Sequence, residues 1–232
     1  MWKKAADLGA EPVIAYRALG MAALTLDDDP DTARKYLTQA HAADRTDAIV
    51  ARDLARVLFK LADRADSEPG KKQLWTEARD GLKAAFESGK GRSDFVSLLA
   101  RTQNRLGEFA ETARMLDQVR VTVWEGSREV HDLFEDAHVE LGKAHLDGAR
   151  SAEALAEFNR ALEYPANLAT GKLENTREAH IHYLRGNALA ALGQKQAAIE
   201  AWRKAANEPA SDDAKKEEAR KKAQEALEKA RP

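Results

Sequence analysis

Apolar residues recur along this chain three and four apart, the spacing of one helix face, and the stretches they mark come in pairs joined by short polar turns. Tyr16, Leu19, Gly20 and Ala23 mark a first helix, and Ala33, Leu37 and Ala40 a second, with Asp27-Asp28-Asp29-Pro30-Asp31 between them. Ala51, Leu54, Ala55 and Leu58 open a second pair, which Ala78, Leu82 and Ala85 complete. Its connection, Asp63 to Lys72, is longer and contains Ser67-Glu68-Pro69-Gly70, read as a turn. A third pair places Val96, Leu99 and Ala100 before Leu106-Gly107, with Thr112, Leu116 and Val119 after it. Val121 to Ser127, with Trp124 and Gly126, forms a linker.

The last two pairs repeat each other. One reads His138-x2-Leu141-Gly142-x2-His145, then Ala154-x3-Phe158, Ala161 and Pro165. The other reads His182-x2-Arg185-Gly186-x2-Leu189, then Ala198-x3-Trp202, Ala205 and Pro209. This pattern resembles the tetratricopeptide repeat (TPR), a unit of about 34 residues with W-x2-L-G-x2-Y, A-x3-F and P at fixed places. The spacing from Gly142 to Gly186 fits one such unit plus the inserted loop Tyr164 to Lys172. The resemblance implies an all-α fold, a right-handed α-solenoid of about five TPR-like helix pairs. The pairs are expected at residues 13–45, 46–90, 91–120, 127–166 and 175–210. Asn175 is expected to cap the last pair, with Glu178 three residues on.

The ends add a half-repeat and a cap. Trp2-Lys3-Lys4-Ala5-Ala6 has the form of Trp202-Arg203-Lys204-Ala205-Ala206, so residues 1–12 read as a second helix whose first helix is missing. Two explanations stand: an irregular N-terminal cap, or a piece of a longer protein. Residues 211–232 are rich in Lys, Glu and Ala, with Leu227 as the large aliphatic residue and Ser211 as the expected N-cap. They read as the polar capping helix that ends a stack.

In the TPR phase a small residue on the first helix lets the second approach. Gly20, Ala55, Ala100, Gly142 and Gly186 fill that position, and Leu37, Leu82, Leu116, Phe158 and Trp202 fill the gap toward the next repeat. Burying each is worth about 1.5–3 kcal/mol.

Composition narrows the function classes. There are 37 basic and 39 acidic residues, a balance with no global pull toward nucleic acid or an anionic membrane. The chain has no cysteine, which removes disulfides, thiolate chemistry and cysteine zinc sites. No apolar run approaches the roughly 18 residues of a membrane span. A soluble, cytoplasmic protein is expected.

Candidate chemistry is sparse. His131, Glu135 and His138 share a helix face that His145 continues, so a zinc site is conceivable. His138, His145 and His182, however, fall at packing positions of the repeat, and packing is the expected role. Asp27 to Asp31 lacks the central Gly and terminal Glu of a calcium loop and reads as a solvated turn. Gly89-Lys90-Gly91 and Gly171-Lys172 belong to no phosphate-binding loop. No nucleophile arrangement is legible. No cofactor, no metal and no enzyme activity are expected.

The surface left for function is the concave face of the first helices. It carries Arg17, Arg52, Arg56, Phe59, Arg101, Asn104, Arg105, Lys143, Tyr183 and Asn187. Arginine holds a carboxylate through two parallel hydrogen bonds. A protein-interaction scaffold binding an extended or acidic peptide is therefore expected. The arginines have a second reading, as side chains that are solvated or paired with carboxylates of the second helices. Chaperone-binding TPR domains use a carboxylate clamp of this general kind, but Met21 stands here where that clamp needs Asn. The loop Leu162 to Leu168 with Gly171-Lys172 also resembles the TPR tail of large bacterial proteins that carry an aldose-epimerase-like β-sandwich. That resemblance implies an alternative: an accessory region acting in cis on a carbohydrate-active module of its own parent chain.

Overall fold

The computed structural model describes residues 11–122 and 127–230, so the expected half-repeat at Trp2 and the linker residues Trp124 and Gly126 lie outside the described residues. Twelve α-helices and one 3-10 turn make up the regular structure of the described residues. They fall into two units. Unit 1 runs to Val130 and includes Asn167–Ala169, whereas unit 2 comprises His131–Ala166 and the chain from Thr170 onward.

Unit 1 contains three helix pairs. They are α1 (Pro12–Thr25) with α2 (Pro30–Ala43), α3 (Ala48–Arg64) with α4 (Glu68–Ala84), and α6 (Ser93–Leu106) with α7 (Phe109–Gln118). The short α5 (Phe86–Gly89) follows α4. The core is aliphatic, with Leu37, Leu58, Leu82, Leu99 and Leu116 almost fully buried and Phe95 among them. The acidic turn is a cap: the Asp29 carboxylate accepts the Thr32 N–H at 3.0 Å, and Asp28 pairs with Lys60 and Arg64. Asp47 caps α3 in the same way, accepting from Ile49 and Val50.

The long connection in the second pair is taken up by helix. α3 runs on to Arg64, and Ser67 caps α4 by accepting the Gly70 N–H, so Glu68-Pro69-Gly70 opens a helix where the sequence suggested a turn. Proline is compatible with the first turn because that N–H has no helical partner anyway. Asn167 closes α7 from outside, donating its amide to the Leu116 and Val119 carbonyls at 2.8 Å each. Those carbonyls belong to the group that every helix C-terminus leaves unsatisfied.

Unit 2 holds most of α8 (Ser127–Asp147), with α9 (Ser151–Ala161), α10 (Ala179–Ala191), α11 (Lys195–Asn207) and α12 (Ala214–Lys229). Phe158 packs among Val139, Ala154, Ile181 and Ala188, so it serves both its own pair and the next. Small residues make this possible. A Cβ at Gly20 would lie 2.7 Å from Leu37 Cγ, and Cβ atoms at Gly142 and Gly186 would fall on the rings of Phe158 and Trp202. The turn inside a pair needs one left-handed residue in four pairs: Asp28, Gly107, Ala149 and Gly193.

Two expected caps move. α12 is capped by Asp213, which accepts from Lys215 and Lys216, while Ser211 accepts only from the Asp213 N–H. α10 starts at Ala179 with Glu178 as N-cap, and Asn175 lies outside it. The Glu178 N–H is taken by the Glu208 carboxylate, 3.0 Å from each oxygen. No helix among the described residues is long and apolar enough to cross a membrane.

Candidate functional site

The first helices of unit 1 place an arginine at the same point of successive repeats, Arg17 on α1 and Arg52 on α3. Asp53, next to Arg52, lies on the otherwise apolar side of α3 and is only 1% exposed. It is paired on both sides, as a buried carboxylate requires. The Arg17 guanidinium donates to Asp53 Oδ2 at 2.7 Å, and Arg52 donates to Oδ1 at 2.7 Å. Arg52 also reaches α6, donating to Asp94 at 2.8 Å. Arg92 and Arg56 stand 3.4 and 3.9 Å from the same carboxylate.

The electrostatics follow the geometry. Burial works against charge on Asp94, but the Arg52 hydrogen bond and charge, with Arg92, hold its carboxyl below the ordinary value. Burial likewise disfavours the Arg52 charge, and its bonds to Asp53 and Asp94 outweigh that and push it up. Four guanidinium groups thus surround two carboxylates.

Farther along the face, Arg101 pairs with Glu129 and lies over the Phe59 ring at 5.6 Å. Arg105 is exposed and lies 5.7 Å from the Trp75 ring. Asn104 is half-buried on α6. The carboxylates that pair with Arg17, Arg52, Arg56 and Arg101 all lie on first helices, Asp53 on α3, Asp94 on α6 and Glu129 on α8, and not on second helices. Sequence reasoning missed Asp53 and Arg92. An acidic residue among Val50, Leu54 and Val57 was the available signal for Asp53.

The other three candidates lie in unit 2 and are engaged there. Lys143 donates to Glu140 at 2.7 Å. Tyr183 packs against Ala179, Ala205 and Ala223. Asn187 accepts the indole N–H of Trp202 at 3.1 Å.

The zinc candidates are drawn to separate partners. His131 is buried, donates its Nε2–H to the Glu163 carbonyl at 3.0 Å and stacks on Tyr164 with ring centres 4.1 Å apart. His138 bonds Glu157 at 2.6 Å, Glu135 meets His180 at 3.3 Å, and His145 accepts from Arg150 at 2.9 Å. No cluster of metal-ligating side chains occurs among the described residues. Two residues of the loop motif are engaged within unit 2: Tyr164 and Lys172 both donate to the buried Glu178 carboxylate.

His182 sits beside that carboxylate, 3.8 Å from it. Burial pushes its imidazole down to about 4, against the pull of Glu178 and with Lys204, Arg185 and Lys172 adding to the shift. An unfolded histidine takes up its proton near 6.5. The unfolded state therefore binds more protons between these values, so stability contributed by neutral His182 is complete above 6.5 and is lost as pH falls toward 4. His182→Gln is expected to flatten the fall of urea midpoint over that interval. Glu208, which burial pushes up, titrates in both proteins and cancels in the comparison. Equal slopes for the two proteins would contradict the burial of a neutral imidazole.

No protein-family model matches the chain. Among solved structures, it is similar to YrrB, described as a TPR protein with an unusual peptide-binding site, at 18% identity over 95% of this chain and 97% of that one, TM-score 0.53. It is also similar to a TPR repeats protein, BF2334, from Bacteroides fragilis, at 13% identity over 94% and 86% of the two chains, TM-score 0.51. The paired helices, the small-residue contacts within pairs and these likenesses agree that the fold is TPR-like.

Proposed function

We propose that the chain is a non-catalytic protein-interaction scaffold, and that the first-helix face of unit 1 holds an extended segment bearing carboxylates. The observation that carries this reading is the charge ratio around Asp53 and Asp94: Arg17, Arg52, Arg56 and Arg92 leave an excess of positive charge. Within that group the roles divide. Arg52 is 14% exposed and spends its donors on protein carboxylates, so it holds the lattice. Arg56 is 52% exposed and only loosely paired, so it has donors left for a ligand. Arg105 is the second such cation. Ile14 and Ile49, 50% and 39% exposed, stand one turn before Arg17 and Arg52 and offer apolar anchors on the same face. The peptide-binding site named for YrrB supports the class of partner.

Two fluorescein-labelled peptides test the reading, one alternating glutamate with leucine and one alternating lysine with leucine. The glutamate peptide is expected to bind and the lysine peptide not. Arg56→Ala/Arg105→Ala is expected to weaken binding at least about tenfold, or 1.4 kcal/mol, with a shallower salt dependence and an unchanged thermal midpoint. Equal affinity for both peptides, or an unaffected double variant, would overturn the assignment.

A further inference from the structure

Unit 2 contains a cleft unrelated to the arginine face. It lies between α11 and α12, is open to solvent along one side, has a volume of about 480 Å³, and is walled by Ala198, Ile199 and Trp202 on one side and Ala226 on the other. Lys195 and Lys229, both exposed, also line it. The cleft exists because α12 packs through alanines. Ala219 and Ala223 are buried, and a methyl group at Ala226 does not reach far enough to fill the space beside Ile199 and Trp202.

The geometry points to a binding site for a single-chain anionic amphiphile, an alkyl carboxylate whose tail lies against Ile199, Trp202 and Ala226 and whose head meets Lys195 and Lys229. Three observations favour that occupant. The volume falls within the range of small-molecule sites, roughly 300–1,000 Å³. Neither lysine forms an ion pair among the described residues, whereas Lys221 and Lys222 on the same helix as Lys229 do. α11 also begins without a side-chain cap and without an acidic residue in its first turn, so the end of the cleft at Lys195 favours negative charge.

The wall chemistry separates an alkyl chain from a peptide. Apart from the two ammonium groups, the named side chains offer no donor or acceptor to an occupant, because the Trp202 indole N–H is already given to Asn187. A peptide would bring backbone N–H and C=O groups that such walls leave unsatisfied. An alkyl chain brings none.

The test is calorimetric titration of the chain with sodium dodecanoate below its micelle concentration. Saturable binding of one molecule per chain is expected. Ala226→Leu should fill the cleft and weaken binding at least about tenfold while preserving the helix, since leucine is nearly as good a helix former as alanine. Lys195→Gln/Lys229→Gln should weaken dodecanoate at least about tenfold and leave dodecanol unchanged, with helical circular dichroism retained. Absence of saturable binding, or dodecanoate affinity indifferent to Ala226→Leu, would overturn the site. A leucine-terminated peptide that binds in an Ala226→Leu-sensitive manner when dodecanoate does not would overturn the choice of occupant.

Discussion

Gly186→Leu is expected to destabilise unit 2 by about 3 kcal/mol or more, the upper end of overpacking costs. Even the first carbon of a side chain at this position would fall on the Trp202 indole. The indole packs with Ala179, Ala205 and Ala223 in one cluster and with Leu189, Ala198 and Ala201 in another, so it can yield only toward the cleft that it lines. Gly186→Ala tests the same contact more gently, at about 1–3 kcal/mol. Combining it with Trp202→Leu should recover part of the loss, because neighbours that share a contact are not additive. A urea midpoint for Gly186→Ala equal to that of the parent protein would show that the ring does not rest on this glycine.

The second large effect separates two arginines one helical turn apart. Arg52→Ala is expected to cost about 2 kcal/mol, below the 3–5 kcal/mol of a fully broken buried pair, because Asp53 keeps Arg17 and Asp94 keeps Arg92. Asp53 is nevertheless left with half its ionic partners at 1% exposure. Arg56→Ala should cost little, as exposed pairs contribute about 0–1 kcal/mol. Chemical denaturation of the two variants side by side gives the comparison. Equal losses would mean that Arg52 is not structural, and that both side chains are free to serve a ligand.

The pairs and their close packing were legible in the sequence, since small residues and A-x3-aromatic spacing are local signals. Gly142 against Phe158 and Gly186 against Trp202 are their direct expression. The caps were not legible in the same way. Asn175 looked right three residues before Glu178, but the Glu178 carboxylate is taken by Tyr164 and Lys172, and the amide end is satisfied by Glu208 from the far end of α11. Ser67-Glu68-Pro69-Gly70 suggests a turn, although two residues after the Ser67 cap Pro69 is compatible with a helix start. For the candidate site, the arginines were visible one by one, but their partners were not. Asp53 and Asp94 meet them from neighbouring repeats, at separations of 36 and 42 residues that no local pattern encodes.

The lattice of charges also bears on how unit 1 comes apart. Arg17 to Asp53 and Arg52 to Asp94 each cross from one pair to the following one. In a nearest-neighbour description, stability divides between terms inside a repeat and terms at the junctions. Here the strong polar links fall at the junctions, and each requires the correct register of two successive helices. A pair that frays takes a link from its neighbour with it. The effect is to make the end of one repeat the business of the next, so that this unit loses its structure as a block where a chain of self-sufficient hairpins would lose it piece by piece.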